Sequence, residues 1–120
     1  MKQVIIIVRP HAYFKTKDAL TENRIYAMTV KEITGRGRAA VKYSAAEGNA
    51  AVYDGAVYEN ALSAKKMIEI ICRDDDVQKI IDIVLSVNSH GVEGDGKIFV
   101  LPVDESIRIH TGERGEDALI

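Results

Sequence analysis

Val4-Ile5-Ile6-Ile7-Val8 is an unbroken apolar, β-branched run closed by Arg9-Pro10. A run of that kind predicts a strand buried on both faces, and proline ends it. From Ala12 to Glu22 helix formers follow, with apolar positions at Phe14, Ala19 and Leu20. That weak amphipathic pattern predicts a helix stopping near Asn23. In AMTVKEIT, residues 27–34, Met28 and Val30 alternate with Thr29, so a second strand is predicted with Met28 and Val30 on one face.

The order then repeats. KMIEIIC, residues 66–72, reads as a strand, and Asp74-Asp75-Asp76 reads as the cap and acidic first turn of a second helix. Val77, Ile80, Ile81, Val84 and Leu85 fall at i, i+3, i+4, i+7 and i+8, one core-facing stripe, and Asn88-Ser89-His90-Gly91 is the stop. Residues 98–103 supply a fourth strand. Strand, helix, strand, twice over, predicts an α+β, ferredoxin-like doubled βαβ fold with a four-stranded antiparallel sheet. Helices then cover one sheet face and leave the other bare, which self-association would cover.

Between the halves, about residues 36–65, runs an alanine-rich segment without a firm period. Compact domains seldom carry so long a connection unless it is a lid or binding loop. A recognition loop is therefore expected; a long hairpin is the alternative, suggested by Val52, Tyr53, Val57 and Tyr58.

Size and charge narrow the function. The 120 residues, 47% hydrophobic, make one domain, 1–120, with a modest core. A formal net charge of -2 supplies no broad positive field, so nucleic acid is not an expected partner. No run is long enough to span a bilayer and no signal sequence opens the chain, so a cytoplasmic protein is expected. Cys72, the single cysteine, lies in an apolar run and is expected to be buried. His11, His90 and His110 are scattered without ligand spacing, so no metal site made of protein side chains alone is expected.

Three basic elements suggest an anion. Gly35-Arg36-Gly37-Arg38 follows the second strand, and Gly94-Asp95-Gly96-Lys97 precedes the fourth. Paired glycines let backbone N–H groups converge on one point, and the adjacent cation adds charge. Arg108-Ile109-His110-Thr111 alternates, which would set Arg108 and His110 on one side of an extended segment. Together they outline a polyphosphate site. Glu69, amid MIEIIC, is a carboxylate in a strand otherwise fit for burial, placed at a rim or bonded to a ligand.

VRP, AMTVKEITGRGR, YDGAVY, IEII, GDGKIFVLPVDESIRI and TGERGEDALI in combination resemble the nitrogen regulatory P-II signal-transduction family over nearly the whole chain. The resemblance implies a homotrimer with adenine-nucleotide sites in the clefts between subunits. It implies a sensor of ATP, ADP and 2-oxoglutarate, with Mg2+ accompanying ATP. The long loop would dock on a protein target such as an ammonium transporter, a nitrogen-metabolism enzyme or nitrogenase. By position, Ile7, Gly35 and Ile71 would bracket the adenine. Thr29 and Glu69 would contact base and ribose. Arg36, Gly37, Arg38, Gly94, Asp95, Gly96, Lys97, Arg108 and His110 would surround the phosphates. Lys65 falls on the 2-oxoglutarate lysine, and Tyr58 on the loop tyrosine that some members have uridylylated.

Departures from the family pattern qualify this. Ala39 stands where a glutamine commonly helps bind the magnesium joining ATP to 2-oxoglutarate, so an adenylate sensor without 2-oxoglutarate response is an alternative. His110 replaces a second arginine and makes one phosphate contact titratable. Ala56 removes a serine that some members phosphorylate, and the loop is several residues longer than usual between Val41 and Tyr53. VRP, GRGR and IFVLPV also resemble nitrogenase-associated members. A nucleotide-using enzyme is the competing class. No strong nucleophile–base pairing appears in the sequence, and Glu69 is the sole plausible base near the site, so no enzymatic role is expected.

Overall fold

A computed structural model of the chain describes residues 1–36, 62–91 and 95–119 with their side chains, and residues 51–53 and 56–58 by their backbone. The elements are β1 (Lys2–Val8), α1 (Tyr13–Glu22), β2 (Thr29–Gly35), β3 (Ala51–Tyr53), β4 (Ala56–Tyr58), β5 (Ser63–Cys72), α2 (Val77–Asn88) and β6 (Gly96–Pro102). One antiparallel sheet has the order β2-β5-β1-β6, so the two halves interleave as the doubled βαβ pattern requires.

Period-two alternation divides the sheet into two faces. Val4, Ile6 and Val8 of β1 and Ile68, Ile70 and Cys72 of β5 are buried beneath the helices, joined by Leu20 of α1 and Ile80 and Val84 of α2. Met28 and Val30 pack against this core, as their alternation predicts, and Ile98 of β6 joins them. The side chains between them, including Ile5, Ile7, Met67, Ile71, Phe99 and Leu101, lie on the face the helices do not cover. Burial pushes the Cys72 thiol pKa up, with the Asp76 carboxylate adding to the effect.

The helices differ in detail from the sequence pattern. In α1 the inward positions are Thr16 and Leu20, while Phe14 is 64% exposed and tilts against Tyr13, with ring centroids 5.1 Å apart. In α2 the stripe narrows: Leu85 is half exposed, and Asn88 at the last position is buried instead. Its amide donates to Thr16 Oγ1 at 2.9 Å and Val84 O at 3.0 Å, while Thr16 Oγ1 donates to Ala12 O. Asp74–Asp76 do not cap α2 with a side chain. They form a separate 3-10 turn, and Asp74 pairs with the N-terminal ammonium at 3.0 Å.

The bounds of three strands also move. β2 starts at Thr29, β5 starts at Ser63, three residues before the predicted strand, and β6 begins at Gly96 and ends at Pro102. The connecting loop is therefore shorter than 36–65. Within it β3 and β4 pair antiparallel, Val52 opposite Val57, which favours the hairpin alternative at that point. Three-residue strands are too short for a period to show in the sequence.

Candidate ligand-binding site

The strand register places the sequence-predicted residues in rows across the open face. Thr29, Glu69, Ile5 and Phe99 form one row, and Lys31, Met67, Ile7 and Lys97 the next. Ile33 stands opposite Lys65 beyond that. Ile7, Thr29, Glu69, Ile71, Lys65 and Lys97 thus share one face, and Gly35 ends β2 on the same parity. Glu69 sits on this face near its centre, its Oε1 3.3 Å from Lys31 Nζ.

One end of the sheet is cationic. Gly35 and Arg36 close β2, Lys65 and Lys66 lie at the start of β5, Arg9 follows β1, and Lys97 is at the start of β6. Asp95 accepts a hydrogen bond from His90 N at 2.8 Å through Oδ2, while its Oδ1 lies 3.9 Å from Arg9 Nη2. Burial pulls the Lys65 ammonium pKa below its usual range, Arg9 reinforces that, and Asp95 opposes it. An entering anion would relieve this accumulation of positive charge.

Gly96 has φ +128°, and a Cβ there would stand 2.0 Å from Ile7 O. Only glycine permits that approach, so the turn into β6 lies flat against β1. Beside it, at the outer edge of β6 and under α2, is a cleft of about 430 Å³. Ile7, Asp95, Gly96, Lys97 and Val100 line it from the sheet, with Ile81 and Leu85 of α2 opposite. Its size suits a cofactor-sized ligand, and its walls are mostly apolar with polar groups at one end.

Arg108 and His110 are elsewhere. β6 rises about 3.3 Å per residue, so the chain leaves Pro102 about 20 Å from Gly96. There Val103 N donates to Met1 O. Residues 107–114 do not form the predicted extended segment. Ile107 and Arg114 bridge, Gly112 N donates to Arg108 O, and His110 lies in the intervening turn, so the assumed alternation of Arg108 and His110 does not apply. Gly112 at φ +74° permits that turn, a signal the alternation Arg-Ile-His obscured. Arg108 pairs with Glu113 and donates to Asp117 O at 3.0 Å. Gly37, Arg38, Ala39 and Gly94, and the side chains of Tyr58 and Ala56, lie outside the described residues. Sequence reasoning did not single out Arg9 or Lys31, which approach Asp95 and Glu69. A cation opposite an acid across a sheet is visible only once the register is known.

The sequence model of the family described as Nitrogen regulatory protein P-II matches residues 1–113. The chain belongs to the P-II family. Nitrogen regulatory protein P-II 2 of Methanothermobacter thermautotrophicus is 38% identical over 119 residues, covering 99% of this chain and 97% of that protein. Nitrogen fixation nifHD region GlnB-like protein 2 of Methanobacterium ivanovii is 35% identical over the whole of both chains. Among solved structures, Arabidopsis thaliana PII bound to citrate superposes with a TM-score of 0.73 at 32% identity, covering 98% of this chain and 88% of that one. P-II proteins are signalling regulators that act on protein targets, and this chain shares their α+β fold and open four-stranded sheet. Among the described residues, no helix is long and apolar enough to cross a membrane.

Proposed function

We propose that this P-II protein senses adenine nucleotide in clefts between the subunits of a homotrimer and reports the bound state to a nitrogen-metabolism target through residues 36–62. Ile7, Gly35 and Ile71 hold the base, Thr29 and Glu69 the base and ribose, and Asp95, Gly96, Lys97 and Arg36 one side of the phosphates. Arg38, Gly37 and Gly94 complete that side. Arg108 and His110 come from the neighbouring subunit. The observation that carries this reading is the division of the phosphate cations between the two ends of one sheet. Arg108 is tied to Asp117, whose neighbour Glu116 lies 3.7 Å from Arg73 just past the end of β5, so within one chain it stands at the end of the sheet away from Lys97, while a second copy can bring its Arg108 to the first copy's Lys97.

Magnesium would enter with ATP and would neutralise part of the phosphate charge beside Lys97 and Asp95. Ala39 offers it no side-chain oxygen, so ATP binds while 2-oxoglutarate, held by Lys65 alone, adds little. The nifHD-region relatives favour a target in nitrogen fixation over an ammonium transporter. Tyr58 is the candidate modification site.

Calorimetry with ATP tests the reading. Lys97→Ala and Arg108→Ala should each weaken binding about tenfold, the loss of one charge-assisted contact. Co-refolding the two variants should restore full affinity in roughly a quarter of the clefts, because a two-chain site is intact wherever each subunit supplies the residue the other lacks. Without that recovery, the site lies within one chain and the intersubunit reading fails.

A further inference from the structure

A second cleft lies on the other side of the molecule, between the turn after α1, the end of β5 and the start of α2. It has a volume of about 460 Å³. Ile25, Ala27, Cys72, Ile80 and Leu119 supply its apolar wall, and Arg24, Arg73 and Asp76 its charges. None of these residues belongs to the nucleotide site proposed above.

Arg24 is there against local preference. α1 ends in a Schellman motif: Ile25 N donates to Leu20 O and Arg24 N to Thr21 O, both at 2.9 Å. The residue that donates the second of these bonds requires left-handed backbone and is usually glycine. Arg24 is that residue, with φ +67°, the one non-glycine residue at positive φ among the described residues. A bulky residue in that conformation is strained, and such strain collects at ligand-holding positions.

The charges are also uncommitted. Among the described residues, neither Arg24 nor Asp76 has a side-chain hydrogen bond or ion pair, whereas Arg73 Nε lies 3.7 Å from Glu116. Arg24 and Asp76 line the same cleft, both exposed, and do not pair with each other. Asp76 is close enough to the cleft floor to act on the buried Cys72 thiol. A cation, an anion and an apolar wall around one small cavity match a ligand carrying a carboxylate, an ammonium and a hydrocarbon body.

We infer that this cleft binds a free α-amino acid with an apolar side chain, its carboxylate on Arg24, its ammonium on Asp76 and its side chain against Ile25, Ala27 and Leu119, with the buried Ile80 directly behind them. The site is independent of nucleotide and gives the protein a second input.

Methyl NMR on the full-length protein, with L-leucine as probe and without nucleotide, tests this. Millimolar L-leucine should shift the Ile25, Ile80 and Leu119 methyl signals. 4-Methylpentanoate, which lacks the ammonium, and isopentylamine, which lacks the carboxylate, should each bind at least about tenfold more weakly, as loss of one charge-assisted contact predicts. Arg24→Gly should abolish the leucine response while making the fold more stable, which separates a ligand role from a structural one. Asp76→Asn should do the same to the response with the fold intact. ATP affinity should be unchanged in both variants. The inference is overturned if leucine shifts none of these methyls, if 4-methylpentanoate or isopentylamine binds as well as leucine, or if Arg24→Gly and Asp76→Asn leave leucine binding unaltered.

Discussion

At the scale of single residues, burial and charge set the pH response. Lys65 has its folded pKa lowered from 10.5 by burial and by Arg9. Between that lowered value and 10.5 the unfolded chain binds more protons than the folded one, so Lys65 makes stability rise with pH there. Cys72 works in the opposite sense. Its folded pKa is raised above 9.0, so the stability it contributes is complete below 9.0 and is lost as pH rises through the folded value. Urea unfolding across the alkaline range should therefore show Lys65→Met losing the rise and Cys72→Ala losing the fall. If the two variants track the wild type, neither group is perturbed. Sequence showed only that Cys72 sits in an apolar run. That Arg9 stands beside Lys65 follows from strand register, which brings residues 56 positions apart together.

At the scale of elements, the packing of α1 on α2 rests on a buried polar contact as well as on Leu20, Ile80 and Val84. Asn88 donates to Thr16 across 72 positions of sequence, and both residues are buried. Asn88→Ala should cost about 1–3 kcal/mol in chemical denaturation, because it removes the bond between the helices and leaves a cavity. Thr16→Val should cost less, since the methyl fills the hydroxyl's place while Asn88 keeps its bond to Val84 O. Non-additive losses in the double variant would measure the bond itself. A helical stripe of apolar residues predicted α2 and missed Asn88, because asparagine after an apolar run reads as a stop signal. Here it is both the last helical residue and part of the core. Phe14 illustrates the converse, an aromatic residue that hydrophobicity assigns to the core and helix phase turns outward.

At the scale of the whole molecule, the uncovered sheet face carries Ile5, Ile7, Met67, Ile71, Phe99 and Leu101. An apolar face of that extent marks an interaction surface. Light scattering should give a mass three times that of the 13.2 kDa chain, and Phe99→Glu, which sets a charge within that face, should shift the protein to monomer. ATP affinity should fall with the trimer. A monomeric wild type at micromolar concentration would contradict both the assembly and the shared cleft. Hydrophobic periodicity alone determined the two halves, the faces of β2, the axis of α2 and the doubled βαβ order, because period and run length are local properties of the chain, whereas the continuous runs of β1 and β5 left their two faces undistinguished. The motif set determined the family. Tertiary structure decided which residues share the open face, the flat approach of Gly96 to Ile7, the turn that carries His110, and the unpaired Arg24 and Asp76 across one cleft. Each of those depends on strand register or backbone handedness, and both are set by contacts between segments far apart in sequence.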